Sequence, residues 1–240
     1  MGKVIAFLGS DGRCGLSQTA LSVSFYLSKM GKKVLLSHFE GKHGGDYLRP
    51  LGENLRRLRP YLKEGLWDKN EVMSRAVYEG NLSIIGGADD PISGGDYMPE
   101  YIESLLYSLK DSYDFIICDC GHDLCHGAAV GALEGSGEIY MVLGQSENYL
   151  KQYEKMKPVL KRLKALPSLF IIGGFDPDHP EDEEYIAKRI NVSKGKVIAI
   201  PFASEGRDAE MKGRSLWSYG NRKYERSIKS FAEVMMKNGL

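Results

Sequence analysis

"GSDGRCGLSQTA", residues 9–20, decides how this chain is read. The apolar run "KVIAFL" precedes it, and a stretch of helical periodicity from Ser17 to Met30 follows. Strand, glycine-rich turn and helix start are together the parts of a phosphate-binding loop. The turn exposes backbone N–H groups, and the helix N-terminus adds partial positive charge. Gly9, Gly12 and Gly15 supply the backbone freedom for the turn. Ser17 stands where a hydroxyl ligates Mg²⁺ or caps the helix. The lysine of such a loop is absent, and Leu16 takes its position. Two readings stand: a nucleotide site with altered parts, or a tight connection in which Leu16 packs onto the sheet and Ser17 is an N-cap.

The surroundings favour an α/β architecture. Short apolar runs "KVIAFLG", "KKVLLSHF", "NLSIIGG", "YDFIICDCG", "GEIYMVLG", "SLFIIGG" and "GKVIAIPF" alternate with helical segments near 100–111, 148–164, 181–191 and 221–237. The runs are apolar at successive positions, as strands buried on both faces require. The expected fold is a doubly wound, mainly parallel sheet flanked by helices, in the P-loop NTPase manner. Residues 3–8, 33–38 and 114–119 should be strands whose carboxyl ends share one edge. One domain covers residues 1–240, with an irregular insertion of short helices at about 41–80. "GGADDPISGGDYMP" reads as a loop.

Bulk properties narrow the function. In 240 residues, Lys+Arg and Asp+Glu number 32 each, so no general basic field exists for nucleic acid or acidic lipid. No apolar run approaches the ~18 residues of a membrane span. Four cysteines without a secretion signal point to free thiols in a cytoplasmic setting.

The ordered set of motifs resembles the ParA/MinD family of P-loop ATPases. That family's loop reads K-G-G-x-G-K-[ST]-[ST], and "DGRCGLSQ", Asp11 to Gln18, matches it in place. "LSKMGKKVLL", "YDFIICDCG" and "VIAIPFASEGRDAEMKGRSL" resemble further family segments in order and spacing. The resemblance implies nucleotide contacts at Gly12, Arg13, Cys14, Gly15, Leu16, Ser17 and Gln18. It implies Mg²⁺ at Ser17 and Asp119, and Asp119 and Glu40 as the acids of an active site. The departures fall on the γ-phosphate. Asp11 replaces the signature lysine, Arg13 a glycine, Leu16 the P-loop lysine, and "HFE" (His38, Glu40) the family's D-x-D. Phosphoryl transfer depends on cations that neutralise developing charge, so hydrolysis should be weak or absent. The loop is compatible with ATP or ADP with Mg²⁺ and equally with no cofactor at all. The implied role is a positional or assembly factor docking to protein partners, with any homodimer independent of nucleotide. The altered loop is similar to that of TadZ/CpaE-type pilus-assembly proteins. The implied site of action is cytoplasmic, with recruitment to the inner membrane face through a partner.

Other constellations carry alternatives. "CDCGHDLCHG", residues 118–127, with Cys14, His38 and His43 nearby, suggests a Cys/His metal or redox site, though C-x-C-x₄-C-H is no established zinc spacing. Asp119 is either the metal-side acid or the cap of a turn. "LRRLRPYLK" is a solvated basic face around Leu55, Leu58 and Leu62, or a surface for nucleic-acid phosphate or an acidic partner. The last helix carries Tyr224, Ile228, Phe231 and Met235 on one stripe, either core-facing or amphipathic at a membrane.

Overall fold

A computed structural model describes residues 2–40, 55–64, 68–87 and 97–237. Its centre is an eight-stranded sheet. In chain order the strands are β1 (Lys3–Gly9), β2 (Val34–His38), β3 (Val77–Glu79), β4 (Leu82–Ile85), β5 (Phe115–Asp119), β6 (Glu138–Leu143), β7 (Leu169–Phe175) and β8 (Val197–Pro201). Their spatial order is β3-β4-β2-β5-β1-β6-β7-β8. Every pairing is parallel except β3 with β4. The three expected strands lie side by side and parallel. Strand order reverses at β1, between β5 and β6, which opens a crevice beyond its carboxyl end.

The helices are α1 (Leu16–Lys29), α2 (Leu55–Glu64), α3 (Lys69–Arg75), α4 (Pro99–Leu109), α5 (Gly127–Glu134), α6 (Glu147–Arg162), α7 (Glu183–Arg189), α8 (Gly206–Met211) and α9 (Arg222–Lys237). Side chains alternate across the strands, so two cores form, one on each sheet face. On one face Ile5, Phe7, Leu36 and Ile117 pack with α1 and α9. On the other, Ala6, Leu8, Ile116 and Cys118 pack with residues of α2 to α7. Among the described residues no helix is long and apolar enough to cross a membrane.

Local chemistry accounts for the elements that set the site. In α1, Ser22 and Ser24 are fully buried, and their small size lets α9 lie close. The Ser24 hydroxyl donates to the Ala20 carbonyl at 2.7 Å, and the Tyr224 hydroxyl of α9 lies 2.9 Å from Ser22 Oγ. The helix stops at Gly31, whose φ of 82° suits the left-handed turn. Tyr224, Ile228, Phe231 and Met235 are all buried, so the α9 stripe faces the core. The Lys3 ammonium donates to the Met235 carbonyl at 2.8 Å, tying β1 to the end of α9.

Two elements differ from expectation. The stretch read as short helices at 41–80 does hold α2 and α3, where Asp68 caps α3 by accepting from the Asn70 and Glu71 N–H groups. It also holds β3, a three-residue antiparallel edge strand turned back on β4 by Gly80 at φ 57°. Residues 41–54 of the insertion, and most of the "GGADDPISGGDYMP" loop, lie outside the described residues. The second difference is α5, "GAAVGALE", which carries too little periodicity to announce a helix. Its glycines form a seam against α4. A Cβ on Gly131 would sit 2.2 Å from the Pro99 carbonyl oxygen.

This seam gives a stability test. Gly131→Ala should lower unfolding free energy by roughly 1–3 kcal/mol, the usual cost of overpacking a tight contact. Gly195→Ala, where a Cβ meets nothing within 4 Å, should stay within about 0.5 kcal/mol. Urea denaturation of both variants measures the difference.

Candidate functional site

The β1–α1 loop sits in the crevice and is held there by main-chain bonds. The Gly9 N–H donates to the Gly121 carbonyl at 2.8 Å, and the Ser10 N–H to the Val142 carbonyl at 3.0 Å. On its far side the loop meets β7 with almost nothing between. A Cβ on Gly173 would lie 2.1 Å from the Cys14 carbonyl oxygen, and one on Gly15 would lie 3.6 Å from Gly173 Cα. Gly15 is the N-cap of α1, at φ 83°. Its carbonyl accepts from the Thr19 N–H at 3.0 Å and the Thr19 hydroxyl at 2.8 Å.

Arg13 keeps a φ of 63°. That left-handed conformation is natural to the glycine that the resemblance places there, and costs roughly 1 kcal/mol for another residue. Among the described residues the two other non-glycine residues of positive φ, Lys164 and Asn191, follow the ends of α6 and α7, where helices commonly turn this way. Arg13 has no such reason.

Gly9, Asp11, Gly12, Arg13, Cys14, Leu16, Ser17, Glu40, Gly121 and His122 line a cavity of about 340 Å³. Most of the expected nucleotide contacts thus meet at one place. Gly15 shapes the loop from behind, and Gln18 turns its main chain towards α9, with its carbonyl 3.4 Å from the Tyr224 hydroxyl. Leu16 is 6 % exposed and packs into the α1-side core, as the tight-connection reading expected. Ser17 is not the N-cap; it is the second helical residue, because Gly15 already takes the cap.

Asp11, in the place of the signature lysine, folds its side chain onto its own loop. Oδ1 accepts from the Gly12 N–H at 2.7 Å, and Oδ2 accepts from the Asn148 amide of α6 at 3.2 Å. The Tyr149 hydroxyl donates to the Gly12 carbonyl at 3.3 Å. The beginning of α6 therefore braces the loop, a link between residues 137 apart that no local pattern signals.

Asp119 is completely buried. Its Oδ1 accepts from the Gly121 N–H at 3.0 Å, which is turn capping. Its Oδ2 lies 3.2 Å from Nδ1 of His38, the residue paired with it across β2 and β5. His38 is 1 % exposed and is the last residue of β2. Its Nε2 is buried without a partner among the described residues. The sequence held a signal for this pair, since "HFE" occupies the place of two acids, but the motif gives no contact. Glu40 lies over Gly121, where a Cβ would come 2.7 Å from Glu40 Oε2.

The Cys/His constellation does not converge. Alternation along β5 sends Cys118 and Cys120 into the core of one face, while Cys14 is buried in the core of the other. His122 faces the cavity, Cys125 is exposed, and His126 lies 3.9 Å from Asp123. Among the described residues no three His, Cys, Asp or Glu side chains are placed to hold a metal ion. His43 lies outside those residues.

The thiols separate into two classes. Burial pushes the Cys14 thiol from its ordinary 9.0 up to about 12. Burial likewise raises Cys118 and Cys120. Cys125 is raised by its hydrogen bond with Asp123, but it stays open to solvent. A thiol-specific reagent should therefore modify one cysteine in the native protein and four after unfolding. The pH dependence follows from the same shifts. The folded thiol stays protonated where the unfolded one ionises, so its stabilising contribution is complete below pH 9.0 and is lost as pH rises towards about 12. Thermal melts should show the midpoint falling through that window.

The chain matches no protein-family model. It is 27 % identical over 181 residues to the chromosome-partitioning ATPase Soj of Treponema pallidum, covering 72 % of this chain and 70 % of that one. The structure superposes on a ParA family ATPase from Chlorobium tepidum with TM-score 0.83 at 21 % identity, covering 97 % and 99 % of the two chains. A plasmid partition protein from Borrelia burgdorferi bound to AMPPNP gives 0.79 at 17 %, covering 99 % and 100 %. MinD from Pyrococcus horikoshii, complexed with Mg-ADP, gives 0.71 at 22 %, covering 99 % and 97 %.

Proposed function

We propose that this chain, a member of the ParA/MinD family, is a positional or assembly factor that holds a nucleotide on the backbone of its β1–α1 loop and scarcely hydrolyses it. The observation that carries the binding half is Arg13. The loop keeps the left-handed turn of a glycine although a larger residue now occupies it. Strain of this kind persists where the surrounding structure imposes it, and it gathers at ligand sites. Gly12 to Gln18 would contact the phosphates mainly through main-chain N–H groups and the first turn of α1. The Arg13 guanidinium would be the cation at the cavity, and arginine suits bidentate phosphate contact.

Charge at the site opposes hydrolysis. Leu16 is buried in the core and brings no cation to the site. Asp11 brings an anion, held against the loop by Gly12 and Asn148. Loss of a single group that stabilises transition-state charge costs on the order of a hundredfold or more. The positional role is suggested by the partitioning relatives, and a place in pilus assembly by the loop's resemblance to TadZ/CpaE-type proteins. A second reading, a scaffold that binds no nucleotide, draws on the Asp11 carboxylate already occupying the Gly12 N–H.

Calorimetry with ADP and ATP separates the two readings. The nucleotide reading expects binding, tightened several-fold in Asp11→Ala as one anion leaves the cavity lining and the Gly12 N–H is released to the phosphates. No heat with either protein would leave the scaffold. Phosphate release from MgATP should stay near background, and robust turnover abolished by Asp119→Ala would overturn the hydrolysis argument. Sedimentation should give the same oligomeric state with and without ATP, because Asp11 offers no cation to a partner's phosphate.

A further inference from the structure

We infer that the chain has closed the metal side of this site with its own residues: the buried His38–Asp119 pair occupies the place of a divalent cation, and nucleotide binds without one. This rests on the nucleotide reading above.

The residues do not fit Mg²⁺. That ion requires near-octahedral oxygen ligands and keeps several of its waters. Asp119, the acid implied for it, is fully buried, and both of its oxygens are engaged, one by the Gly121 N–H and one by the His38 ring. Register fixes that arrangement. His38 and Asp119 are partners across β2 and β5, so their side chains project on the same face. Their neighbours two residues back, Leu36 and Ile117, both lie in the α1-side core. The ring therefore stands on the side from which α1 and Ser17 approach.

A carboxylate at position 38 would offer oxygen to a hydrated cation. An imidazole at that position offers Oδ2 a ring nitrogen in hydrogen-bond contact instead of a second carboxylate for a hydrated cation. The remaining acids at the cavity do not replace it. Asp11 is committed to Gly12 and Asn148, and Glu40 lies over Gly121, across the turn. The negative charge of a bound phosphate is then met by main-chain N–H groups and Arg13 rather than by a metal.

The experiment is calorimetry of the full chain with ADP, in magnesium buffer and in buffer with EDTA. The expected affinities agree within about threefold, a difference below 1 kcal/mol. His38→Asp should restore a cation requirement, with ADP at least about tenfold tighter in magnesium, while His38→Asn, which adds no charge, should remain indifferent. Wild-type binding tightened tenfold or more by magnesium would overturn the inference and leave the nucleotide reading standing. Absence of binding in both buffers would remove the nucleotide reading and this inference with it. If His38→Asp fails to fold, the wild-type comparison decides alone. A folded His38→Asp protein indifferent to magnesium would show that the pair is not the cause.

Discussion

Two backbones meet at the carboxyl edge of the sheet with no side chain between them. The Cys14 carbonyl rests against Gly173, and any Cβ there would collide at 2.1 Å. Because β7 is fixed in the sheet through β6 and β8, its end is a rigid stop for the loop. Gly15 must then turn left-handed to start α1 in the space that remains. Arg13, two residues earlier, also stays at positive φ despite its side chain. The course of the loop at Cys14 and Gly15 is thus set by the end of β7 rather than by the side chains along it.

What the sequence discloses follows the range of the interaction. Strands such as "KVIAFLG" and "YDFIICDCG" are buried on both faces, so composition alone marks them. The α9 stripe is equally plain, because four apolar residues recur at helical spacing. β3 is three residues long within helical surroundings, and only its pairing with β4 makes it a strand. α5 hides because glycine and alanine give little periodicity, and its reason for being helical is α4.

At the site the same division holds. The loop and its cavity-lining residues were visible, because glycine spacing between a strand and a helix is a local signal. The burial of Leu16 was one of two readings of a lysine-to-leucine exchange. The engagement of Asp11 by Asn148 was not visible, since it joins residues 137 positions apart. The His38–Asp119 contact needed the parallel register of β2 and β5, which motif spacing does not contain. Cys118 and Cys120 look close to Cys14 as a cysteine pattern, yet strand alternation buries them on opposite faces of the sheet.

The glycine seam of α5 also ties its helical state to α4. Gly127 opens the helix, Gly131 lies in its middle and Gly135 follows its end. An interior glycine costs about 1 kcal/mol relative to alanine, and helices shorter than ~12 residues are marginal alone in water. The eight residues of α5 therefore bring little helix of their own to the encounter with α4. Their helical state depends on the seam, where the Pro99 and Tyr97 carbonyls lie against the glycines. Whatever loosens α4 should loosen α5 with it.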